Sequence, residues 1–172
     1  LDGAVAPIDL LLQPRAEAEI AFVLKHDLSG PGITPKDVIQ ATDFVLPAIE
    51  IIDSRIQDWK ITFEDTVADN ASSAMFVLGN EPRDLQGLDL RLCGAALRKN
   101  GVVVSTGAGI ACLGHPIHAV AWLANTLGRM GSGILAGELV LSGALGPVTP
   151  VQRGDSLVAD IQGVGSCSVR FG

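Results

Sequence analysis

Glu17 and Glu19 stand two residues apart in the apolar run Arg15-Ala-Glu-Ala-Glu-Ile-Ala-Phe-Val-Leu24, and Glu50 interrupts a second apolar run, Phe44-Val-Leu-Pro-Ala-Ile-Glu-Ile-Ile-Asp53. Three carboxylates in such settings are a donor set for a hard divalent cation. On a strand, alternation puts Glu17, Glu19, Ala21 and Val23 on one face and Ala18, Ile20, Phe22 and Leu24 on the other. The two acidic Cβ atoms are then about 7 Å apart, from a rise of roughly 3.3 Å per residue, and side chains of this length converge across that gap. Glu50 lies between Ile49 and Ile51, where an unpaired carboxylate is costly to bury. Carboxylates about 6 Å apart repel by on the order of 3 kcal/mol per pair at an effective dielectric of about 20, so a counter-charge is expected. All-oxygen ligands favour Mg²⁺ or Mn²⁺ over Zn²⁺. The plainer alternative is a wet strand face on which Glu17 and Glu19 form salt bridges with Arg15 or Lys25.

The elements that position these acids are legible around them. Between the two acidic strands, Thr34-Pro-Lys-Asp37 supplies an N-cap, a proline at the first helical position and an early acid, opening a short helix to about Thr42. The polar stretches from Asp53 to Lys60 and from Glu64 to Ser72 read as loops or short helices. Ala74 to Gly79 reads as a buried strand, and Pro82 to Gly87 as a loop. Asn100-Gly101, between Leu90–Lys99 and Val102–Thr106, is the strongest hairpin signal. Pro116 to Leu127 is the one long amphipathic helix. The remainder is β: Gly137 to Gly143, then Asp155 to Ile161 and Cys167 to Phe171 about a glycine-rich turn. No repeat or linker interrupts the chain, which reads as a single domain over 1-172.

Composition narrows the class of function. A chain of 172 residues with 48% apolar residues can bury a substantial core, and 4% aromatics with no Tyr makes that core aliphatic. Twenty glycines and nine prolines favour a turn-rich β fold. A net charge of −7 with no basic cluster argues against nucleic acid as a partner. No apolar stretch is long enough to span a membrane, and the N-terminus lacks a signal-peptide pattern. Cys93, Cys112 and Cys167, odd in number and set among apolar residues, read as buried free thiols in a reducing, cytoplasmic compartment. Leu1 to Ile8 reads as the middle of a β-rich segment, so an upstream portion is expected.

Other candidate chemistry is weaker. His115 and His118 have a spacing that could chelate, but Pro116 makes the start of a helix the more natural place for His115. Gly107-Ala-Gly109 and Gly163-Val-Gly165 are too short for a dinucleotide loop, and no local nucleophile signature marks a serine or cysteine.

Five ordered motifs carry a resemblance over nearly the whole chain. Pro14-Arg-Ala-Glu-Ala-Glu-Ile-Ala-Phe22, Pro47-Ala-Ile-Glu-Ile-Ile-Asp-Ser-Arg55, Asp65-Thr-Val-Ala-Asp-Asn-Ala-Ser72, Val120-Ala-Trp-Leu-Ala-Asn125 and Gly165-Ser-Cys-Ser-Val-Arg-Phe171 are similar to the 2-oxopent-4-enoate hydratases of the fumarylacetoacetate hydrolase superfamily. The resemblance implies an α+β, mostly β fold, with a distorted barrel-like core and few helices, and a large homo-oligomer. It implies that Glu17, Glu19 and Glu50 hold Mg²⁺ or Mn²⁺, and that Ser72 and Ser142 contact substrate, although either could equally be a turn-forming hydroxyl.

The implied reaction is hydration of 2-hydroxypenta-2,4-dienoate to 4-hydroxy-2-oxopentanoate in the meta-cleavage degradation of aromatic compounds. The substrate carboxylate and 2-oxygen would chelate the ion, which stabilises the developing enolate. Family members carry an upstream region with a Lys and an Asp thought to transfer protons, so the general acid or base is expected upstream of Leu1. The resemblance also implies a complex with the pathway's decarboxylase. The rival assignment is 4-oxalocrotonate decarboxylase, which uses the same acids and metal. The Ser142-Gly-Ala-Leu-Gly-Pro-Val run, Trp59-Lys60 and Trp122 look more like the hydratase branch. From another class, the chain could be a non-catalytic, oligomer-forming subunit.

Overall fold

The computed structural model describes residues 1–172. Ten strands and three helices follow in order: β1 Ala4–Ala6, β2 Arg15–Leu24, α1 Pro35–Ala41, β3 Thr42–Ile52, α2 Phe63–Ala68, β4 Ser73–Leu78, β5 Gly94–Lys99, β6 Val102–Ala108, α3 Pro116–Arg129, β7 Leu139–Leu141, β8 Thr149–Pro150, β9 Ser156–Ile161 and β10 Gly165–Phe171. The chain is α+β and mostly β, as its glycine and proline content implies.

Two sheets pack against each other. One runs β1-β10-β9-β5-β6, and the other runs β4-β3-β2-β7 with β8 also paired to β2. Only β1 and β10 pair in parallel; every other ladder is antiparallel. Between the sheets, Ala16, Ala18, Ile49, Ile51 and Val77 meet Leu97, Leu157, Ala159, Cys167, Val169 and Phe171. Further along β2 and β3 the same face of the second sheet turns to the helices, where Ile20, Phe22, Leu24 and Val45 pack with Val38 of α1 and Val120, Ala121 and Ala124 of α3. The aliphatic, alanine-rich core that composition demands is therefore split between a sheet–sheet and a sheet–helix layer.

Local signals explain the elements that hold this arrangement. Thr34 and Asp37 form a reciprocal capping box on α1, and Thr62 and Asp65 do the same on α2. Asn100 and Gly101 both adopt positive φ, the backbone of a type I′ turn, and join β5 to β6. Gly107 and Gly109 serve close packing: a Cβ on either would lie 1.7 Å from a carbonyl oxygen, of Leu145 and Leu90 respectively.

Three expectations need correction. The strand from Ser73 to Leu78 is not buried: it is an edge strand with alternating exposure, and Phe76 is 51% exposed, because nothing covers that face of the sheet. The stretch from Gly137 to Gly143 pairs as a strand only over Leu139–Leu141, with turns on either side. Strand β5 begins at Gly94 rather than Leu90, because Asp89 closes a turn by accepting from the amides of Arg91 and Leu92.

Candidate metal centre

Strands β2 and β3 bring the three acids together. Glu17 stands directly opposite Glu50 in the antiparallel ladder, and Glu19 stands opposite Ala48. All three therefore project from the face of the sheet opposite its core. One carboxylate oxygen from each lies within 4.8 Å of those of the other two, without any other side chain between them in the ladder. Glu19 is 1% exposed, whereas Glu17 and Glu50 are half-buried. The group thus has a buried floor and an open side.

No ion pair satisfies these carboxylates. Arg15, the nearest basic residue along the strand, stacks its guanidinium over the Trp59 ring at 4.4 Å, and neither Arg15 nor Lys25 forms a salt bridge with them. The wet, salt-bridged strand face is therefore not what the chain builds, for a physical reason: β2 lies between β3 and β7 with most of its residues buried on both faces.

The electrostatic consequence is large. Burial, reinforced by the neighbouring Glu50 carboxylate, pushes Glu17 up to about 7. Deeper burial and the same neighbour push Glu19 further, to about 9, against the lowering effect of one backbone hydrogen bond. That bond is donated by Gly143 N–H to Glu19 Oε2 at 2.8 Å. Convergent carboxylates, two of them raised by burial and by a neighbouring acid, fit a hard divalent ion, and their all-oxygen chemistry suits Mg²⁺, Mn²⁺ or Ca²⁺.

The remaining candidates fall at different distances from this group. Ser142 lies beside it, next to Gly143 in sequence, with its hydroxyl accepting from Ile20 N–H at 3.2 Å and donating to Gly143 O at 3.0 Å. Ser72 is buried one strand further on, where its hydroxyl donates to Asp69 at 2.9 Å and its carbonyl accepts from Asp53 N–H. Both hydroxyls are engaged in local structure. His115 caps α3 by accepting the Ile117 N–H on Nδ1 at 3.1 Å, as the proline beside it suggests, and is not part of the acid group.

Sequence reasoning missed three features of the surroundings. One is the Gly143 amide itself, which only the glycine in Ser142-Gly-Ala144 could have flagged. Another is Cys112, whose thiol donates to Gly143 O at 2.9 Å. The third is a cavity of about 420 Å³ beside this loop, lined mainly by apolar side chains including Leu113, Trp122, Leu123 and Leu141.

Known proteins share this arrangement of strands. The family described as Fumarylacetoacetate (FAA) hydrolase C-terminal matches residues 4–171. The chain is 54% identical to a 2-keto-4-pentenoate hydratase of Paraburkholderia xenovorans over 99% of its own length and 63% of that protein's. It is 52% identical to a 2-hydroxyhexa-2,4-dienoate hydratase of Comamonas testosteroni, covering 99% of the chain and 65% of the relative. Among solved structures, a 4-oxalocrotonate decarboxylase from Pseudomonas putida G7, complexed with magnesium and adipate, superposes with a TM-score of 0.95 at 45% identity, covering 99% of the chain and 65% of that structure. The chain spans a little under two thirds of the length of the curated relatives it matches.

Proposed function

Because the chain belongs to the fumarylacetoacetate hydrolase family, we propose that it is the metal-binding catalytic portion of a hydro-lyase that hydrates 2-hydroxypenta-2,4-dienoate to 4-hydroxy-2-oxopentanoate. The observation that carries this reading is the convergence of Glu17, Glu19 and Glu50 within 4.8 Å with no cationic side chain to neutralise them. Glu19 forms the buried floor, and Glu17 and Glu50 line its open side. A divalent cation held there, Mg²⁺ or Mn²⁺, supplies Lewis-acid stabilisation of the negative charge that develops on the substrate's 2-oxygen.

The chain's own residues hold the acids rigid. The ladder between β2 and β3 fixes their spacing, and the Gly143 amide fixes one oxygen of Glu19. The cavity beside the 142–144 loop gives that flank a mainly apolar lining. Ser142, at its rim, and Ser72, near the end of β3, are proposed as the hydroxyls nearest the substrate.

Hydration of a short dienoate, as in the meta-cleavage degradation of aromatic compounds, is favoured by the names of the hydratase relatives, which are 54% and 52% identical to this chain against 45% for the decarboxylase, and metal binding by the magnesium in that decarboxylase structure. Decarboxylation of 4-oxalocrotonate is the second reading, favoured by the TM-score of 0.95. Buried, unpaired Cys93, Cys112 and Cys167 support a cytoplasmic setting, and no helix is long and apolar enough to cross a membrane. Exposed Val102, Val103 and Val104 on the edge strand β6 support assembly into a homo-oligomer; a complex with the pathway's decarboxylase is a separate further proposal.

The test is calorimetric titration with Mn²⁺ with and without oxalate, a mimic of the chelated enolate, followed by hydration and decarboxylation assays. Binding that tightens with oxalate and turnover of the dienoate support the proposal. Absence of Mn²⁺ binding refutes the metal site, and release of CO₂ without hydration moves the assignment to the decarboxylase.

A further inference from the structure

Gly143 holds the position from which an amide reaches Glu19. Its φ is +94°, and a Cβ there would meet nothing within 4 Å, so glycine is required by backbone conformation rather than by space. This conformation sends the N–H to Glu19 Oε2 and turns the carbonyl of the same residue toward Cys112 and Ser142. The Cys112 thiol donates to that carbonyl at 2.9 Å and lies 3.4 Å from Ala144 O. The Ser142 hydroxyl donates to it at 3.0 Å while accepting from Ile20 N–H, the residue after Glu19. Both residues are only 5% exposed, so these bonds are largely shielded from water. Burial keeps the thiol protonated by pushing it up to about 11, and so keeps it a donor.

We propose that Cys112 and Ser142 are positioning residues for Glu19: by clamping the Gly143 carbonyl they hold its N–H on Oε2, which orients the carboxylate and leaves its other oxygen for the cation. The inference rests on the metal-binding reading of the three acids. Cys112 follows β6 and precedes α3, so the clamp ties the helix layer to the acid group through a single residue, Gly143.

The experiment compares Cys112→Ala, Cys112→Ser and Cys93→Ala. Cys93 is the matched control, equally buried, with its thiol on the Leu90 carbonyl and no bond to Gly143. Mn²⁺ affinity is measured by calorimetry, the melting temperature by scanning calorimetry, and the Gly143 amide resonance by NMR on the metal-free chain. Cys112→Ala is expected to weaken Mn²⁺ about tenfold, the effect usual for partners that orient a ligand. Cys112→Ser, which keeps a donor, should restore affinity to within about threefold of the parent, on the same reasoning. Cys93→Ala should lose melting temperature but bind Mn²⁺ as the parent does. Equal Mn²⁺ affinity in Cys112→Ala and Cys93→Ala overturns the proposal, as does a serine variant as weak as the alanine one. If the parent itself binds no Mn²⁺, the metal reading fails, and the amide decides the clamp: a Gly143 resonance unmoved in Cys112→Ala refutes it, and a shift upholds it.

Discussion

Replacing Glu19 by Gln is expected to make the metal-free protein more stable and the metal-loaded protein impossible to form. Glu19 is 1% exposed and its oxygen lies within 4.8 Å of those of Glu17 and Glu50. At an effective dielectric of about 20, one such pair of charges repels by about 3 kcal/mol. Glutamine keeps the shape and the acceptor for the Gly143 amide but cannot ionise. The sign follows from linkage. Glu17 and Glu19 are raised from 4.5 to about 7 and about 9 in the fold, so the folded chain retains protons that the unfolded chain releases. Stability is full below about 4.5 and is lost as pH rises through those values. The Gln variant escapes the Glu19 share of that loss. Thermal unfolding in EDTA should therefore show little difference between the two proteins at acid pH, and a gain of roughly 6 to 12 °C for Glu19→Gln at alkaline pH, from about 3 kcal/mol in a chain of this size. Added Mn²⁺ should raise the melting temperature of the parent and leave the variant unchanged. A variant less stable than its parent in EDTA at alkaline pH would refute the argument that repulsion, rather than a missing contact, dominates this site.

Further expectations follow from other parts of the chain. Mn²⁺ affinity should rise with pH up to about 9, because the cation competes with the protons on Glu17 and Glu19; calorimetry across that range checks it, and a flat profile contradicts the raised acids. Gly109→Ala should fail to yield folded protein, since its Cβ would sit 1.7 Å from Leu90 O; soluble, cooperatively unfolding protein would count against the packing described. Trp59→Leu removes both the stack on Arg15 and the indole bond to Gln13 O at 2.9 Å, and should cost about 1 to 2 kcal/mol in urea unfolding. Thr34→Ala should cost about 1 kcal/mol by loss of the capping box, with Mn²⁺ affinity unchanged.

What the sequence made legible was decided by local physics. Alternation and a Thr-Pro-x-Asp cap located β2, β3 and α1, and the Asn100-Gly101 pair located the β5–β6 hairpin, because each signal lies within a few neighbouring residues. The convergence of the acids was readable to the extent that Glu17 and Glu19 share a face. That Glu50 stands opposite Glu17 was not, since register is set by packing of Ala18, Ile20 and Ile49 across the sheet. The same limit hid the edge position of β4 and left Phe76 misjudged: an apolar strand reads alike whether or not another layer covers it. The Gly143 amide and Cys112 were out of reach for a related reason: Gly143 meets Glu19 across a separation of 124 residues, and Cys112 reaches the group only through Gly143.

The ladder between β2 and β3 carries a consequence for how such a chain can change over time. Its register runs unbroken from Arg15–Ile52 to Val23–Phe44 along β2, with irregularities only at Val23/Leu24 and, on the β3–β4 side, at Ile51/Ile52. A side chain's face alternates with every residue, so inserting one residue between Glu17 and Glu19 would turn Glu17 into the sheet–sheet core and expose Ala16 in its place. Substitution at these positions is a local event, whereas a change of length is lethal to the whole layer. Residues can be gained or lost only outside this ladder, and the two acidic strands can be edited only letter for letter.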